Sequence, residues 1–443
     1  MTHSRTAYEL SESQVTTPEP IVSLFWQLTK RYREHLGSVL DVGAGDCRFA
    51  RGGSFDRYVG VEMDRKRVAV AKPPANGTII QGCVFRHEGD DYDACIGNPP
   101  YARHHDIRSP WKARTVARLE RELAVSLNKH CNLYLYFFCL GLLKTSQEGL
   151  VALLIPYEWV SRPSAKAIRE YIRRQRWNVA VYRFQMPIFE GVMTTASVSI
   201  VDKARRDGCW KYYDITPDHR VVMRRGITDG EQGVLDYAER GEIWALRGLS
   251  PGSQRVFALT EGERIRAGLT KRDVVPCVTT LRNVPRNVQT LSSSAFQKHF
   301  VRGGQKCWLI RSHEARRSSR LDAYLEAVPA ENRQTHTCRN QTPWFKYLPH
   351  PVPRMLFGSG FTKFGPKVLV NSVGAHAVGS VWGIHANQRV PLRRLQTYLL
   401  GVNFEEQVVA HANTLKKVEV RQLNAVLSAF VERERKNAGE DSR

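Results

Sequence analysis

An α/β fold is predicted for residues 1–205, a doubly wound parallel sheet. A mixed, largely β domain that ends in a helix is predicted for residues 206–443. Three observations carry this prediction. The glycine-rich stretch Asp41-Val-Gly43-Ala-Gly45 directly follows an apolar run, short apolar runs then alternate with helical patterns as far as Val201, and past residue 205 that alternation is lost. A chain of 443 residues is also longer than one typical domain, so two are expected.

Taken in order, residues 17–35 read as a helix whose start is marked by Thr17, with Pro18 in the first turn. A strand at 38–42, a turn at Gly43 to Gly45 and a helix at 47–51 follow. Tyr58-Val-Gly-Val61 reads as a second strand ending on Glu62, with Asp64 as the N-cap of the next helix. Further strands are expected at 77–80, 94–97, 150–155 and 179–184, with helices at 133–144 and 164–174. Residues 198–201 would close the sheet as a late strand. Beyond residue 205, short apolar runs are separated by arginine clusters such as Arg224-Arg225 and Arg316-Arg317, and a helix is expected near 420–435 before a charged tail. No internal repeat is evident.

Lysine and arginine number 66 against 43 acidic residues, a formal charge of +23. Such an excess points to a polyanionic partner, with nucleic acid the first expectation. The longest apolar run, 133–143, is too short to span a bilayer and suits a buried helix, and the first residues lack the apolar stretch of a signal peptide, so a cytosolic protein without membrane contact is expected. Nine scattered cysteines show no paired spacing, so neither a disulfide nor a structural metal is expected.

The most informative tetrapeptide is Asn98-Pro99-Pro100-Tyr101, at the end of the strand that starts near Asp93. Asn98 supplies an amide oxygen and Pro99 a carbonyl outside any ladder, while the two prolines stiffen the turn and Tyr101 offers a stacking face. These are means of gripping an exocyclic amine on a flat ring; the alternative is an ordinary rigid turn after a strand. Upstream, Gly43 and Gly45 let backbone approach a cofactor closely. Arg48 stands where GxGxxG has its third glycine, which disfavours a pyrophosphate seat and favours a smaller nucleoside-like ligand. Glu62, at the end of the second strand, is placed to accept both ribose hydroxyls. Asp41 is expected to organise the loop and meet a ligand ammonium rather than act as an acid or base.

With these residues in order, the chain resembles the gamma-class N6-adenine DNA methyltransferases of restriction-modification systems. The resemblance continues in Asn132-Leu-Tyr-Leu-Tyr-Phe-Phe138, Gly149-Leu-Val-Ala-Leu-Leu-Ile-Pro156, Ala167-Ile-Arg169 and Phe189-Glu-Gly-Val-Met-Thr-Thr-Ala-Ser197, and covers nearly all of residues 17–201. It implies a Rossmann-like catalytic domain at 1–205, S-adenosylmethionine as cofactor, and a target-recognition domain at 206–443. The implied reaction is methyl transfer to N6 of an adenine rotated out of duplex DNA. By residue, Asn98 and Pro99 would accept the amino protons, Tyr101 and Phe189 would cover the two faces of the base, and Thr17 would touch the methionine portion of the cofactor. Asp41, Gly43, Gly45 and Glu62 complete the implied cofactor site.

One departure is plain: where the family has a Gly-Asp-aromatic stretch, this chain reads Gly82-Cys83-Val84-Phe85, with Asp90 or Asp91 as possible substitutes in a different register. Arg103, with His104 and His105, follows the tetrapeptide and is a candidate contact to the DNA backbone, or else part of a solvated loop. In the second domain Arg316, Arg317, Trp344, Lys346 and Arg354 are the candidate DNA contacts, with Pro366 to Val370 a further recurring piece; ordinary core and turn roles compete for each. A monomer on double-stranded DNA is expected, with a cognate restriction endonuclease as a separate partner and no N-terminal nuclease domain. Two rivals are an N5-glutamine protein methyltransferase, which uses the same tetrapeptide, and a catalytically silent DNA-binding or cofactor-sensing protein.

Overall fold

The computed structural model describes residues 15–102, 107, 109–128, 130–189, 194–224, 237–362, 364–387, 390–408, 410–412 and 415–440. The chain forms two compact units, Met1–Val234 with Val409–Thr414, and Leu235–Val408 with Leu415–Arg443.

The first unit is built on nine strands: β1 (Leu36–Val42), β2 (Phe55–Glu62), β3 (Gly77–Gln81), β4 (Tyr92–Gly97), β5 (Thr145–Pro156), β6 (Asn178–Phe184), β7 (Ala196–Asp202), β8 (Trp210–Ile215) and β9 (Val221–Met223). Its α-helices are α1 (Glu19–Lys30), α2 (Arg65–Val70), α3 (Ser109–Leu123), α4 (Leu133–Lys144) and α5 (Lys166–Arg174). The sheet runs in the order β3-β2-β1-β4-β5-β7-β6-β8-β9. Strands β3, β2, β1, β4 and β5 are mutually parallel. From β1 the chain winds outward first through β2 and β3, then returns to place β4 on the other side. The C-terminal ends of β1 and β4 therefore flank the switch point at which open α/β sheets bind ligands.

Side chains of successive strand residues point to opposite faces, and both faces here are apolar. Leu40, Val42, Val151, Leu153 and Ile155 enter one core layer with α4. Val39, Leu150, Ala152 and Leu154 enter the other with α1. Almost every side chain of α4 is buried, which is why its sequence shows no polar face. Even Lys144 at its end is buried, with its ammonium 2.5 Å from Asp90. Among the described residues no helix is long and apolar enough to cross a membrane.

Several details differ from the sequence expectations. The first helix begins at Glu19, with Pro18 in the capping position and no side-chain cap, so Thr17 lies before it. Residues 48–50 form a single 3₁₀ turn, because Cys47 adopts a left-handed conformation (φ 64°) that an α-helix cannot continue through. Asp64 caps α2 as expected, accepting the Lys66 amide at 2.8 Å. The strand expected to close the sheet, β7, instead inserts antiparallel between β5 and β6. All seven of its residues are buried, with Val198 and Ile200 in one core layer and Val201 in the other, which suits a central strand and not an edge. The sheet also continues past residue 205, because β8 pairs in parallel with β6, and β9 pairs antiparallel with β8.

The second unit is mixed. One sheet orders strands Ile243–Leu246, Val381–Ala386, Met355–Gly358, Val368–Asn371 and Thr290–Leu291. A second orders Ala258–Leu259, Trp308–Ile310, Val274–Val278 and His376–Ala377. The helix Val420–Glu440 packs on the first of these, where the Asn424 side-chain oxygen Oδ1 accepts the Ala245 amide at 2.8 Å.

Candidate active site

The turn after β1 carries the first half of the site. Gly43 (φ +87°) and Gly45 (φ +59°) both take conformations that favour glycine, and a Cβ on Gly43 would meet no atom within 4 Å. The open space therefore lies directly in front of the backbone. Val61 holds the turn from the neighbouring strand, its carbonyl accepting from the amides of Gly43 and Ala44. Glu62 is buried and accepts the Gly45 amide at 2.9 Å on one carboxylate oxygen and the Asp64 amide at 2.8 Å on the other. Expected at the ribose, it thus also braces both turns, and each oxygen keeps one further lone pair.

Asp41 is wholly buried, one of its oxygens accepting the Tyr58 hydroxyl at 2.7 Å while Oδ1 has no partner. Burial raises its pKa to about 7, against the lowering effect of Tyr58 and with the charges of Glu62 and Asp46 adding to the rise. A Cβ on Gly97 would lie 2.6 Å from that same Oδ1, and Gly97 has φ +132°. Only glycine lets the end of β4 pass so near the Asp41 carboxylate and still deliver Asn98. Its glycine identity was the available signal in the sequence, whereas nothing in the spacing marked Tyr58.

Arg48, in place of the third glycine, grips Asp46 through Nε (2.9 Å) and Nη2 (2.6 Å) and donates from Nη1 to the Thr17 carbonyl. The Arg48 guanidinium holds the Asp46 carboxyl below the usual carboxylate range. An arginine that ties the segment before α1 to the turn is a role the sequence did not disclose.

Thr17 meets the second half of the site. Its hydroxyl accepts a hydrogen bond from the Asn98 side-chain amide at 3.1 Å, and this contact aims Asn98 Oδ1 away from Thr17. That oxygen is buried and has no partner. Buried acceptors without partners are rare in folded proteins, and Asp41 Oδ1 and Asn98 Oδ1 both lie at the switch point. Pro99 behind Asn98 is buried, and Pro100 is half-buried. The Tyr101 hydroxyl donates to the Leu154 carbonyl at 2.9 Å. Its ring centroid lies 6.2 Å from that of Phe189 at an interplanar angle of 74°. The two rings expected to cover a base are brought together, but edge to face rather than as parallel plates. A flat ring entering between them must part them.

On the acceptor side the departure at Cys83 is not made good by Asp90, whose carboxylate is committed to Lys144. Arg103, His104 and His105 lie outside the described residues. In the second unit Arg316, Lys346 and Arg354 are exposed. Arg317 is not a free cation: it donates to Asp322 at 2.7 Å and to the Glu314 carbonyl, and its guanidinium lies over the Phe345 ring. Trp344 is half-buried and packs edge-on against Phe257 and Phe345, with Arg333 over its ring. Among the described residues no group of side chains could hold a metal ion.

Comparison with known proteins places these features. Residues 62–189 match the family of Eco57I restriction-modification methylases, and residues 237–402 match the C-terminal domain of the Type II methyltransferase M.Eco57I. The chain belongs to the Eco57I methylase family. It is 20% identical over 391 residues to the Type II methyltransferase M.AccI of Acinetobacter calcoaceticus, covering 78% of this chain and 70% of that protein. It is 22% identical over 411 residues to M.XamI of Xanthomonas campestris pv. amaranthicola, covering 84% and 76%. Its fold is similar to that of the Type IIL restriction-modification enzyme MmeI in complex with DNA, with a TM-score of 0.58 at 11% identity, over 91% of this chain and 64% of that one. Family membership makes the chain a DNA methyltransferase of a restriction-modification system and implies S-adenosylmethionine. The open space before Gly43 and the unpartnered Asp41 oxygen fit a ligand that presents a cationic amine and hydroxyl groups.

Proposed function

We propose that the protein transfers a methyl group from S-adenosylmethionine to N6 of an adenine turned out of duplex DNA. The unpartnered, buried Asn98 Oδ1 is the observation that supports this most. An aromatic amine is a weak nucleophile because its lone pair is delocalised into the ring. Two acceptors holding its protons out of the ring plane return that pair to nitrogen. Asn98 Oδ1 is one such acceptor and the Pro99 carbonyl is the other. The proton leaves after the carbon–nitrogen bond forms, so no side chain with a tuned pKa is required, and the site contributes chiefly by positioning and fixed dipoles. Tyr101 and Phe189 part to take the base between them.

The cofactor is held by Gly43, Gly45, Asp41 and Glu62, with Asp41 Oδ1 facing its cationic end. When bound it supplies an electrophilic methyl on sulfonium. The second unit, with its exposed Arg316, Lys346 and Arg354, is the target-recognition domain, and the protein works as a monomer on DNA beside a cognate endonuclease.

The test is direct. Purified protein given S-adenosylmethionine and unmodified plasmid DNA is expected to leave N6-methyladenine at one fixed sequence, mapped by single-molecule sequencing. Asn98→Ala is expected to lower the rate at least about 100-fold, as loss of one preorganised transition-state contact does elsewhere. Label appearing at cytosine, or at glutamine in a protein, refutes the assignment.

A further inference from the structure

In the second unit a phenylalanine stands where no folding advantage explains it. Phe364 lies between the strands Gly360–Phe361 and Val368–Asn371 and is 78% exposed. Its backbone has φ +70°, and Gly365 after it also has φ +70°. Two successive positive values are what a type I′ turn demands, and Asn or Asp is the low-cost residue at the first of them. Phe364 therefore bears a strained backbone and leaves an apolar ring in water. Residues that are costly on both counts are expected where function requires them.

The turn is also held from outside. Arg286 donates to the Phe364 carbonyl at 2.9 Å and to the Gly365 carbonyl at 3.1 Å, and its guanidinium carbon lies 5.3 Å from the Phe364 ring centroid. In the opposite direction the Lys367 ammonium donates to the carbonyls of Leu281 (2.9 Å), Arg282 (2.7 Å) and Val284. Two cations thus cross-tie two loops and fix the turn in place, and Arg282, whose carbonyl accepts from Lys367, is exposed.

We propose that Phe364 is a wedge that inserts between adjacent base pairs of bound duplex DNA. The inference rests on the reading that this protein acts on duplex DNA. A rigid apolar ring flanked by positive charge is suited to unstacking a base step while the neighbouring cations meet phosphates. The wedge recovers in the complex the burial that the free protein forgoes.

Three variants test it. Phe364→Ala is expected to weaken binding to duplex DNA about tenfold, the scale of one lost aromatic–base stack. Phe364→Asn, which suits the turn, is expected to melt about 2 °C higher than the parent and to bind DNA as weakly as Phe364→Ala. A weak complex with a firmer fold cannot come from misfolding. Phe364→Trp is expected to bind like the parent and to lose most of the added indole emission on saturation with duplex. Parent-like affinity of the Ala and Asn variants, or unquenched emission of the Trp variant at saturating DNA, overturns the wedge. A change in self-association of Phe364→Ala with unchanged DNA binding also overturns it and assigns the ring to a protein contact. Methylation of the same DNA by the parent is measured alongside. Quenching without methylation leaves the wedge standing and refutes the catalytic reading, and methylation without quenching does the reverse.

Discussion

Asp41 and Thr17 show how single residues set the chemistry of the site. Burial raises the Asp41 pKa from 3.8 to about 7, so between those values the folded protein binds its proton more tightly than the unfolded chain. Stability contributed by this group is therefore full at acidic pH, falls as pH rises from about 4 to about 7, and is level above that. Asp41→Asn removes the dependence. Denaturant melts of parent and variant are expected to coincide near pH 4 and to diverge by pH 8, with the variant the more stable by a few kcal/mol, on the order of the shift itself. Thr17 tests a different point. If it acts by orienting the Asn98 amide, Thr17→Val lowers kcat about fivefold to tenfold, the worth of one hydrogen bond, and leaves cofactor affinity unchanged, while Thr17→Ser restores kcat. A rise in cofactor Kd with kcat intact assigns Thr17 to the cofactor instead.

At the scale of elements, the segment that carries Phe189 is anchored at both ends. Gln185 donates to Asp214 at 3.2 Å, and the Thr195 carbonyl accepts the Tyr157 amide at 2.8 Å. Arg183 grips Asp214 through two bonds of 2.7 and 2.9 Å and lies over the Tyr157 ring, and Arg224 donates to the Tyr157 hydroxyl at 2.9 Å. The ends of β6 and β8 and the turn after β5 are thereby linked. Asp214→Ala strands the Arg183 guanidinium, and a loss of roughly 3 kcal/mol is expected, the low end for breaking such a pair. Asp214→Asn keeps one acceptor and is expected to lose less than half of that, read by calorimetry. None of this linkage was legible beforehand, since Arg183 and Asp214 meet only through the β6–β8 pairing. The local features were legible: the mostly apolar α4, the strands that deliver Asp41 and Asn98, and the glycines of the turn each declare themselves within a few residues. What escaped notice depended on distant partners. Arg48 reaches Thr17 across 31 positions, Tyr58 reaches Asp41 across 17, and β7 is placed between β5 and β6 by pairings that no period in its own residues encodes.

For the whole molecule, an excess of 23 positive charges sets how DNA affinity responds to salt. Each phosphate neutralised releases counterions, and the slope of log K against log salt is about −0.9 per contact. Six contacts give roughly a thousandfold loss between 50 and 200 mM salt. The structure sorts the candidate cations of the second unit before any titration. Arg316, Lys346 and Arg354 are exposed, whereas the Arg317 charge is already spent on Asp322. Replacing the three exposed residues by Ala is expected to make the slope shallower by up to about 2.7 and to weaken binding equally on all sequences, as loss of phosphate contacts does. Arg317→Ala is expected to leave the slope unchanged and to lower the melting temperature, because it removes an ion pair and a cation stack rather than a DNA contact. Filter-binding titrations in rising salt distinguish the two. A slope that shifts with Arg317→Ala, or stays fixed when the three exposed cations are removed together, shows that the DNA lies on another surface of this basic protein.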